Sequence, residues 1–210
     1  MCRLFAILLV LICSISMISC SALISKQEWS DNYTQIEGVR ATSPEMIDGN
    51  PRTVGETTFP EGAQGVYGAS PASEAIITFP EKMMFRRIVI HSDNLKTFDV
   101  FADKGGSSIK GIDWQLVKEV KAAKSNPIDL SLPVAFPTDK IRVRVLNTSD
   151  DAALRRKERA RSGGFNRGSR NRRAVGKIFE IELYGYKSTK ESAEKKETDQ
   201  REQELDELLK

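Results

Sequence analysis

The sequence predicts an all-β protein whose folded part is one antiparallel β-sandwich. Strand-like segments recur from residue 74 to residue 184, and Gly, Pro, Asn and Asp punctuate them. Apolar and polar residues alternate cleanly in the last three segments, as in antiparallel strands with one solvated face. No convincing amphipathic helix lies between the strands, which disfavours a parallel βαβ architecture.

Seven segments carry the strand signal, and their bounds are 75–79, 85–91, 97–102, 114–121, 128–132, 141–146 and 178–184. The alternation in the last three predicts nine side chains that face the core, namely Ile128, Leu130, Leu132, Ile141, Val143, Val145, Phe179, Ile181 and Leu183. The polar residues between them, Glu180 and Glu182 among these, are predicted to face solvent. A chain of 210 residues has room for one such domain and accessory segments.

Residues 1–20 have the layout of a secretory signal, in which Arg3 precedes an apolar run over 4–12 and small residues lead to Cys20. The apolar run is too short to indicate a membrane-spanning helix. The sequence Met-Ile-Ser-Cys at 17–20 resembles the lipobox of bacterial lipoproteins, whose cysteine is lipidated and becomes the first mature residue. The alternative is an ordinary cleavage site beside an unmodified Cys20.

The lipobox resemblance implies an exported protein that is lipid-anchored to the bacterial cell envelope. In such lipoproteins a non-acidic residue after the cysteine, here Ser21, favours the outer membrane. The chain has three cysteines, Cys2, Cys13 and Cys20, so no disulfide or thiolate metal site can form beyond the signal. The fold therefore depends on packing alone.

Composition divides the rest of the chain into a tether over 21–39, the sandwich over 40–186 and a charged tail over 187–210. The net charge of +3 hides a basic segment at 155–173, which holds eight arginines, one lysine and one acid. This segment contains too little apolar surface to offset the entropy of ordering. We therefore expect a disordered Arg-rich loop there, and a tail that stays solvated or forms a short helix over 202–210.

Two groups of residues, about 130 positions apart, bracket the strand ladder. Ala-Thr-Ser at 41–43 and Met-Ile-Asp-Gly-Asn-Pro at 46–51 precede it, and Ile-Phe-Glu-Ile-Glu-Leu-Tyr-Gly at 178–185 ends it. This pair resembles the discoidin (coagulation factor type C) family of the galactose-binding-like superfamily, over most of 40–186. The resemblance implies a jelly-roll-like sandwich of about eight strands with ligand loops at one end. The chain departs from the family after Thr53, where Val-Gly-Glu replaces the usual tryptophan.

The same resemblance implies a structural calcium ion in the first loop of the sandwich. The residues that would supply its oxygen ligands here are Glu45, Asp48, Asn50, Thr57 and Glu180. Asp48 and Glu180 offer carboxylates and the others carbonyl or hydroxyl oxygens, a mixture of hard donors that suits calcium. The alternative is a plain turn, in which Asp48 caps backbone amides and Gly49 takes a positive φ.

Aromatic residues are the candidates for sugar binding, because a sugar ring stacks on an exposed ring face. Phe59 and Tyr67 lie on a Gly-rich loop and are the candidate ligand residues, whereas Trp114 begins a strand and is predicted to be core. The only histidine, His91, has no G-x-S-x-G elbow beside it, and zinc and phosphate motifs are absent. The sequence therefore predicts no enzyme.

These observations predict a non-catalytic module of the cell envelope that binds carbohydrate or a glycoconjugate through loops at one end of the sandwich. The alternative is an envelope scaffold or adhesion protein, which contacts a surface protein or an anionic polymer through its Arg-rich loop. Export disfavours nucleic acid as the partner. The arginines of that loop are Arg155, Arg156, Arg159, Arg161, Arg167, Arg170, Arg172 and Arg173.

Overall fold

The computed structural model describes residues 28–60, 71–105, 112–132, 137–161 and 173–187. Several sequence predictions lie outside the described residues: the signal and lipobox with Cys20, the first part of the tether, the candidate ligand residue Tyr67, the arginines Arg167, Arg170 and Arg172, and the tail after Lys187.

The described residues form ten strand segments and one α-helix. The strands are β1 (Arg40–Ala41), β2 (Gly55–Glu56), β3 (Ser73–Met84), β4 (Arg87–His91), β5 (Leu95–Asp103), β6 (Trp114–Val120), β7 (Ile128–Ser131), β8 (Pro137–Thr148), β9 (Lys177–Ile178) and β10 (Glu180–Tyr184), and the helix is α1 (Asp151–Arg161). Two 3-10 helices, Tyr33–Gln35 and Pro44–Met46, lie at the front of the domain.

The strands form a five-stranded sheet in the order β1-β3-β8-β5-β6 and a three-stranded sheet in the order β10-β4-β7. A two-stranded sheet of β2 and β9 accompanies them. Every strand pair among the described residues is antiparallel. The predicted antiparallel β-sandwich is therefore confirmed.

Apolar side chains of both larger sheets make one hydrophobic core. Its largest fully buried members include Phe98, Ile77, Ile88 and Ile181. Full burial of such a side chain stabilises the fold by roughly 1.5–3 kcal/mol, so the period-2 pattern translates directly into packing energy. Eight of the nine predicted core residues are buried, namely Ile128, Leu130, Leu132, Ile141, Val143, Val145, Ile181 and Leu183.

Phe179 is the exception, and the prediction that it faces the core is wrong. The last predicted strand is interrupted at Phe179, which is half-buried and separates β9 from β10. Ile178 pairs with Gly55 of β2, whereas Glu180 pairs with His91 of β4. This change of partner shifts the alternation by one position, so that the core side chains are Ile178 before the break and Ile181 and Leu183 after it.

The basic segment also differs from its prediction, because its first part is helical. Asp151–Arg161 forms α1 between β8 and β9, where the sequence predicts a disordered loop from residue 155 onward. Leu154 is the one apolar residue of the helix larger than alanine, so the helix carries no apolar stripe for a sequence pattern to detect. Its alanines and arginines nevertheless have high intrinsic helix propensity.

The sandwich unit runs from Ser30 to Gly185 and so takes in part of the predicted tether. Asn32 accepts hydrogen bonds from the Thr34 and Leu183 amides, which fixes the first 3-10 helix against β10. The terminal segments form a separate unit, in whose described part the rings of Trp29 and Tyr186 lie 4.9 Å apart. Among the described residues, no helix has the length and apolar character needed to cross a membrane.

Candidate functional site

The loop after the second 3-10 helix is organised around Asp48. Its Oδ1 accepts a hydrogen bond from the Asn50 amide at 2.8 Å, and its Oδ2 accepts one from the Thr53 hydroxyl at 2.8 Å. Gly49 has a φ of 74°, a conformation that glycine adopts without steric cost. These are the features expected of a plain turn, and they hold the Asp48 carboxylate in one orientation.

Glu180 joins this loop from the far end of the chain. It is the first residue of β10, and its Oε2 accepts a hydrogen bond from the Gly49 amide at 3.0 Å. Glu180 is only 4% exposed, and its Oε1 is a buried atom without a hydrogen-bond partner among the described residues. The sequence prediction that Glu180 is exposed to solvent is therefore wrong. In β10 it alternates with the core residues Ile181 and Leu183, so it lies on the outer face with Glu182, and the loop that contains Gly49 covers it there.

The pKa of Glu180 is raised to about 7, chiefly by burial. The hydrogen bond from the Gly49 amide lowers this pKa, and the nearby negative charges of Asp48 and Glu182 raise it. A buried carboxylate with an unpartnered oxygen is the kind of group that a hard cation satisfies. Asp48 and Glu180 therefore fit a calcium ion by the chemistry of their donors. No cluster of three or more His, Cys, Asp or Glu side chains that could hold a metal occurs within the described residues.

The other predicted calcium ligands are Glu45, Asn50 and Thr57, and they differ in whether their oxygen atoms are available to an ion. The Glu45 carboxylate accepts a hydrogen bond from the Ser43 hydroxyl at 2.6 Å, which holds the pKa of Glu45 below its usual value. The Asn50 carbonyl oxygen lies 2.7 Å from the Thr53 hydroxyl oxygen, and it is an alternative to the Asp48 carboxylate as acceptor of that hydroxyl's single proton. The hydroxyl of Thr57 is committed to the interior, since it donates to Ser73 Oγ at 2.8 Å and accepts from the Gly176 amide at 2.7 Å.

One residue that supports the loop was missed by the sequence analysis. Gln35 donates from Nε2 to the Ile47 carbonyl at 3.0 Å, and its side chain lies beside Gly49. Gln35 falls in the segment that composition assigns to a tether, where no strand pattern marks it as part of the domain. No signal in the single sequence could have identified this contact.

Of the two candidate ligand residues, the structure describes Phe59. It is half-buried and follows the isolated bridge between Thr58 and Glu74, just after β2.

An aromatic cluster lies instead on the outer face of the five-stranded sheet. The Arg142 guanidinium lies 4.6 Å from the Phe101 ring centroid and 4.5 Å from that of Trp114. Trp114 is half-buried in this cluster, so the prediction that it belongs to the core is wrong. The Nη1 atom of Arg142 also lies 3.6 Å from Glu74 Oε2, and burial lowers the pKa of Arg142. The cation–π contacts between Arg142 and the two rings stabilise the polar outer face of this sheet.

The outer face of the three-stranded sheet carries the single histidine. His91 Nε2 hydrogen-bonds to Glu182 Oε1 at 3.0 Å, and the Tyr184 hydroxyl donates to Glu182 Oε2 at 2.7 Å. Burial, together with the Glu182 carboxylate, raises the pKa of Tyr184 to about 12. The prediction that His91 makes an ordinary hydrogen bond at the end of a strand is confirmed.

Comparison with known proteins relates the chain to solved structures. No family model matches it, and no curated protein matches it. A point mutant of chitosan-binding module 1 from a chitosanase/glucanase of Paenibacillus sp. IK-5 is similar, with 10% identity, 74% of this chain and 100% of that chain covered, and a TM-score of 0.50. Module 2 of the same enzyme, in complex with chitotriose, has 14% identity, coverage of 70% and 95%, and a TM-score of 0.47.

A family 32 carbohydrate-binding module from Clostridium perfringens NanJ, in complex with galactose, has 15% identity, coverage of 75% and 100%, and a TM-score of 0.48. The similarity to chitosan-binding module 1 shows the fold, since it extends over the whole of that module. The chain has the antiparallel β-sandwich fold of that module. The fold that the discoidin resemblance implies is therefore confirmed.

Proposed function

We propose that this chain is a non-catalytic carbohydrate-binding protein of the cell envelope, which binds a glycan through loops at one end of its sandwich. The observation that carries the proposal is the fold similarity to a chitosan-binding module that is covered from end to end. The described domain thus matches an entire binding module in length. Fold alone does not select a ligand. The class of glycan must be established from the residues that contact it and from a binding experiment.

The glycan contacts in this proposal come from the chain between β2 and β3. Phe59 lies at the start of this connection and is half-buried, so part of its ring remains available for stacking. Tyr67 belongs to the same connection and lies outside the described residues. Two rings on one loop could stack on successive sugar units, and such contacts are insensitive to salt because no ion pair is involved.

A structural calcium ion is part of the same proposal. Asp48 and Glu180 would hold it with their carboxylates, and the carbonyl oxygens of Glu45 and Asn50 would complete its ligands together with water. The ion would supply positive charge to the unpartnered Glu180 oxygen and would tie the loop at residues 44–53 to β10. Its contribution is to the order of the loop and not to a reaction.

Attachment to the outer membrane through a lipid on Cys20 completes the proposal and follows from the leader sequence. Radiolabelled palmitate incorporation into the wild-type chain but not into Cys20→Ser would support it. An unlabelled wild-type chain would contradict the lipid anchor and would leave the glycan proposal unaffected.

The test of glycan binding is an array of neutral and acidic glycans, probed with the full chain in detergent. It is run at low and high salt, with calcium and with chelator. We expect binding to a neutral glycan that survives high salt and that falls at least tenfold in Phe59→Ala and Tyr67→Ala. Tyr186→Ala, a matched change outside the sandwich unit, serves as the control. A folded chain that binds no neutral glycan would refute the proposal.

A further inference from the structure

The helix α1 concentrates cations on the side that points away from the sandwich. Within it, Asp151 is buried and Leu154 and Arg155 are half-buried, which defines the side that faces the domain. The exposed residues of the helix, among those whose side chains are described, are Ala152, Ala153, Arg156, Lys157, Arg159, Ala160 and Arg161. The described side chains of the outward side are therefore those of cations and alanines.

This arrangement leaves room for a ligand between the cations. Residues three and four apart neighbour each other on a helix, so Ala153 lies next to both Arg156 and Lys157, and Ala160 lies next to the same two cations on the following turn. Alanine side chains are short, and a ligand chain can approach the helix between the long cationic side chains. The surface is also convex, so it suits an extended ligand better than a compact one.

The charge on α1 is a cost for the helix itself. Arg155 and Arg159 are four residues apart, as are Lys157 and Arg161, and like charges at this spacing destabilise an isolated helix. The Arg155 Nε donates to the Asp151 carbonyl at 3.1 Å, which satisfies one guanidinium locally. An anionic ligand on the outward side would relieve the repulsion between neighbouring cations.

The base of the helix is fixed, so the backbone that carries the cations is positioned before any ligand arrives. Asp151 Oδ1 accepts hydrogen bonds from the Thr148 hydroxyl at 2.9 Å and from the Ala174 amide at 2.7 Å. The neighbouring Asp150 accepts a hydrogen bond from Asn94 Nδ2 at 3.1 Å. These contacts join the first turn of α1 to the end of β8 and to the chain that enters β9. Preorganisation of this kind reduces the entropy lost on binding.

We propose that α1 is a second binding site, which docks a linear polysaccharide that carries carboxylate groups at regular intervals. Arginine binds carboxylates through its planar fork of donors, and repeated charges on an extended chain match repeated cations along a helix. The described outward side chains include no apolar residue larger than alanine, whereas helices that bind membrane surfaces need an apolar face to insert. The choice of polysaccharide over nucleic acid rests on the proposed export.

The experiment measures binding of the full chain in detergent to polygalacturonate, with methyl-esterified polygalacturonate as the uncharged form of the same polymer. The test variant is Arg156→Gln/Lys157→Gln/Arg159→Gln. The control variant is Arg40→Gln/Lys104→Gln/Lys124→Gln, which removes three exposed cations that lie outside α1. It therefore has the same net charge as the test variant. Thermal unfolding of both variants establishes that they fold.

We expect the wild-type chain to bind polygalacturonate with an affinity that falls steeply with salt and to ignore the esterified polymer. The helix variant should lose at least tenfold in affinity and show a shallower salt dependence, while the control variant changes less than twofold. Equal losses in the two variants would overturn the proposal, since net charge would then explain the binding. Tighter binding to duplex DNA or to phosphatidylglycerol vesicles would overturn the choice of polysaccharide.

This outcome is separable from the test of the sandwich loops. The helix variant should keep its salt-resistant binding to the neutral glycan, and Phe59→Ala should keep its binding to polygalacturonate. Loss of both activities in either variant would contradict the assignment of two independent sites.

Discussion

Glu180 and the cations of α1 place charge in opposite environments. Glu180 is 4% exposed and lies against a loop that contains a second carboxylate, whereas Arg156, Lys157, Arg159 and Arg161 lie on the surface of a helix. A buried charge interacts strongly with each neighbour because the local dielectric constant is low, and it loses hydration when the chain folds. Exposed charges are screened by water and salt.

The difference shows which property each region controls. We expect the buried carboxylate to affect the stability of the fold and its dependence on pH and calcium, and the exposed cations to affect association and its dependence on salt. Carboxylates at other positions have solvent exposures between these two extremes. Conversion of Glu180 and of three other carboxylates to their amides therefore tests whether the loss of stability increases with burial.

The largest effect is expected for Glu180. Its pKa rises from 4.5 to about 7 on folding, so the folded chain binds the proton more tightly than the unfolded chain. In chelator, the stabilising contribution of protonated Glu180 is complete below pH 4.5, and about 3 kcal/mol of it is lost as the pH rises through 7. Glu180→Gln should remove this loss, because its side chain stays neutral, and chemical denaturation between pH 4 and 8 measures the difference.

Calcium should reverse the loss in the wild-type chain above pH 7, because the ion binds the ionised carboxylate. The gain should be absent in Glu180→Gln and present in Glu37→Gln, a matched change at an exposed position. A wild-type stability that is independent of pH and of calcium would show that Glu180 neither has a raised pKa in the folded chain nor binds calcium.

The next effect is expected for Asp151, which is also 4% exposed but accepts several hydrogen bonds. Asp151→Asn removes the charge and leaves fewer acceptor sites for Thr148 and Ala174. We expect a loss of about 1–3 kcal/mol in the free energy of unfolding, because donors that stay buried lose their partner. Urea denaturation measures it, with the exposed Asp31→Asn as control, and equal stability of the two variants would contradict the anchoring role.

A smaller effect is expected for Glu74, whose side chain is 17% exposed and lies 3.6 Å from Arg142. Glu74→Gln leaves Arg142 stacked between Phe101 and Trp114 without its acid partner. The cost should be about 1–2 kcal/mol, between the values for buried and exposed ion pairs. The matched control is Glu81→Gln at an exposed position, and a cost above that of Asp151→Asn would break the proposed order.

The smallest effect is expected for Asp129, whose side chain is 48% exposed. Its hydrogen bonds to Arg87 hold the pKa of Asp129 below 3.8, so its contribution is present at neutral pH and is lost as the pH falls through the folded pKa. Asp129→Asn should cost less than about 1 kcal/mol at neutral pH and nothing once the carboxyl is protonated in strong acid. Urea denaturation at the two pH values measures the difference, and Asp93→Asn provides the exposed control.

The strands could be predicted because alternation is a local property. Ile141, Val143 and Val145 are separated by one residue each, and a strand places such residues on one face whatever its partners are. The candidate site was only partly predictable. Asp48 and Glu180 were named from the family resemblance, yet their link through the Gly49 amide joins positions 131 residues apart. No pattern of neighbouring residues in the sequence predicts the contact of Gln35 with the loop or the stacking of Arg142 on Trp114.

The sequence by itself determined the sandwich class, the core-facing residues of most strands and the concentration of positive charge after β8. Only the tertiary structure decided that Phe179 interrupts the last strand, that Glu180 is buried and that Asp151–Arg161 is helical. The physical reason is that composition and alternation are properties of neighbouring residues. Burial and helix anchoring depend instead on which distant residues the chain brings together, and their free energies exceed the local preferences that a pattern reveals.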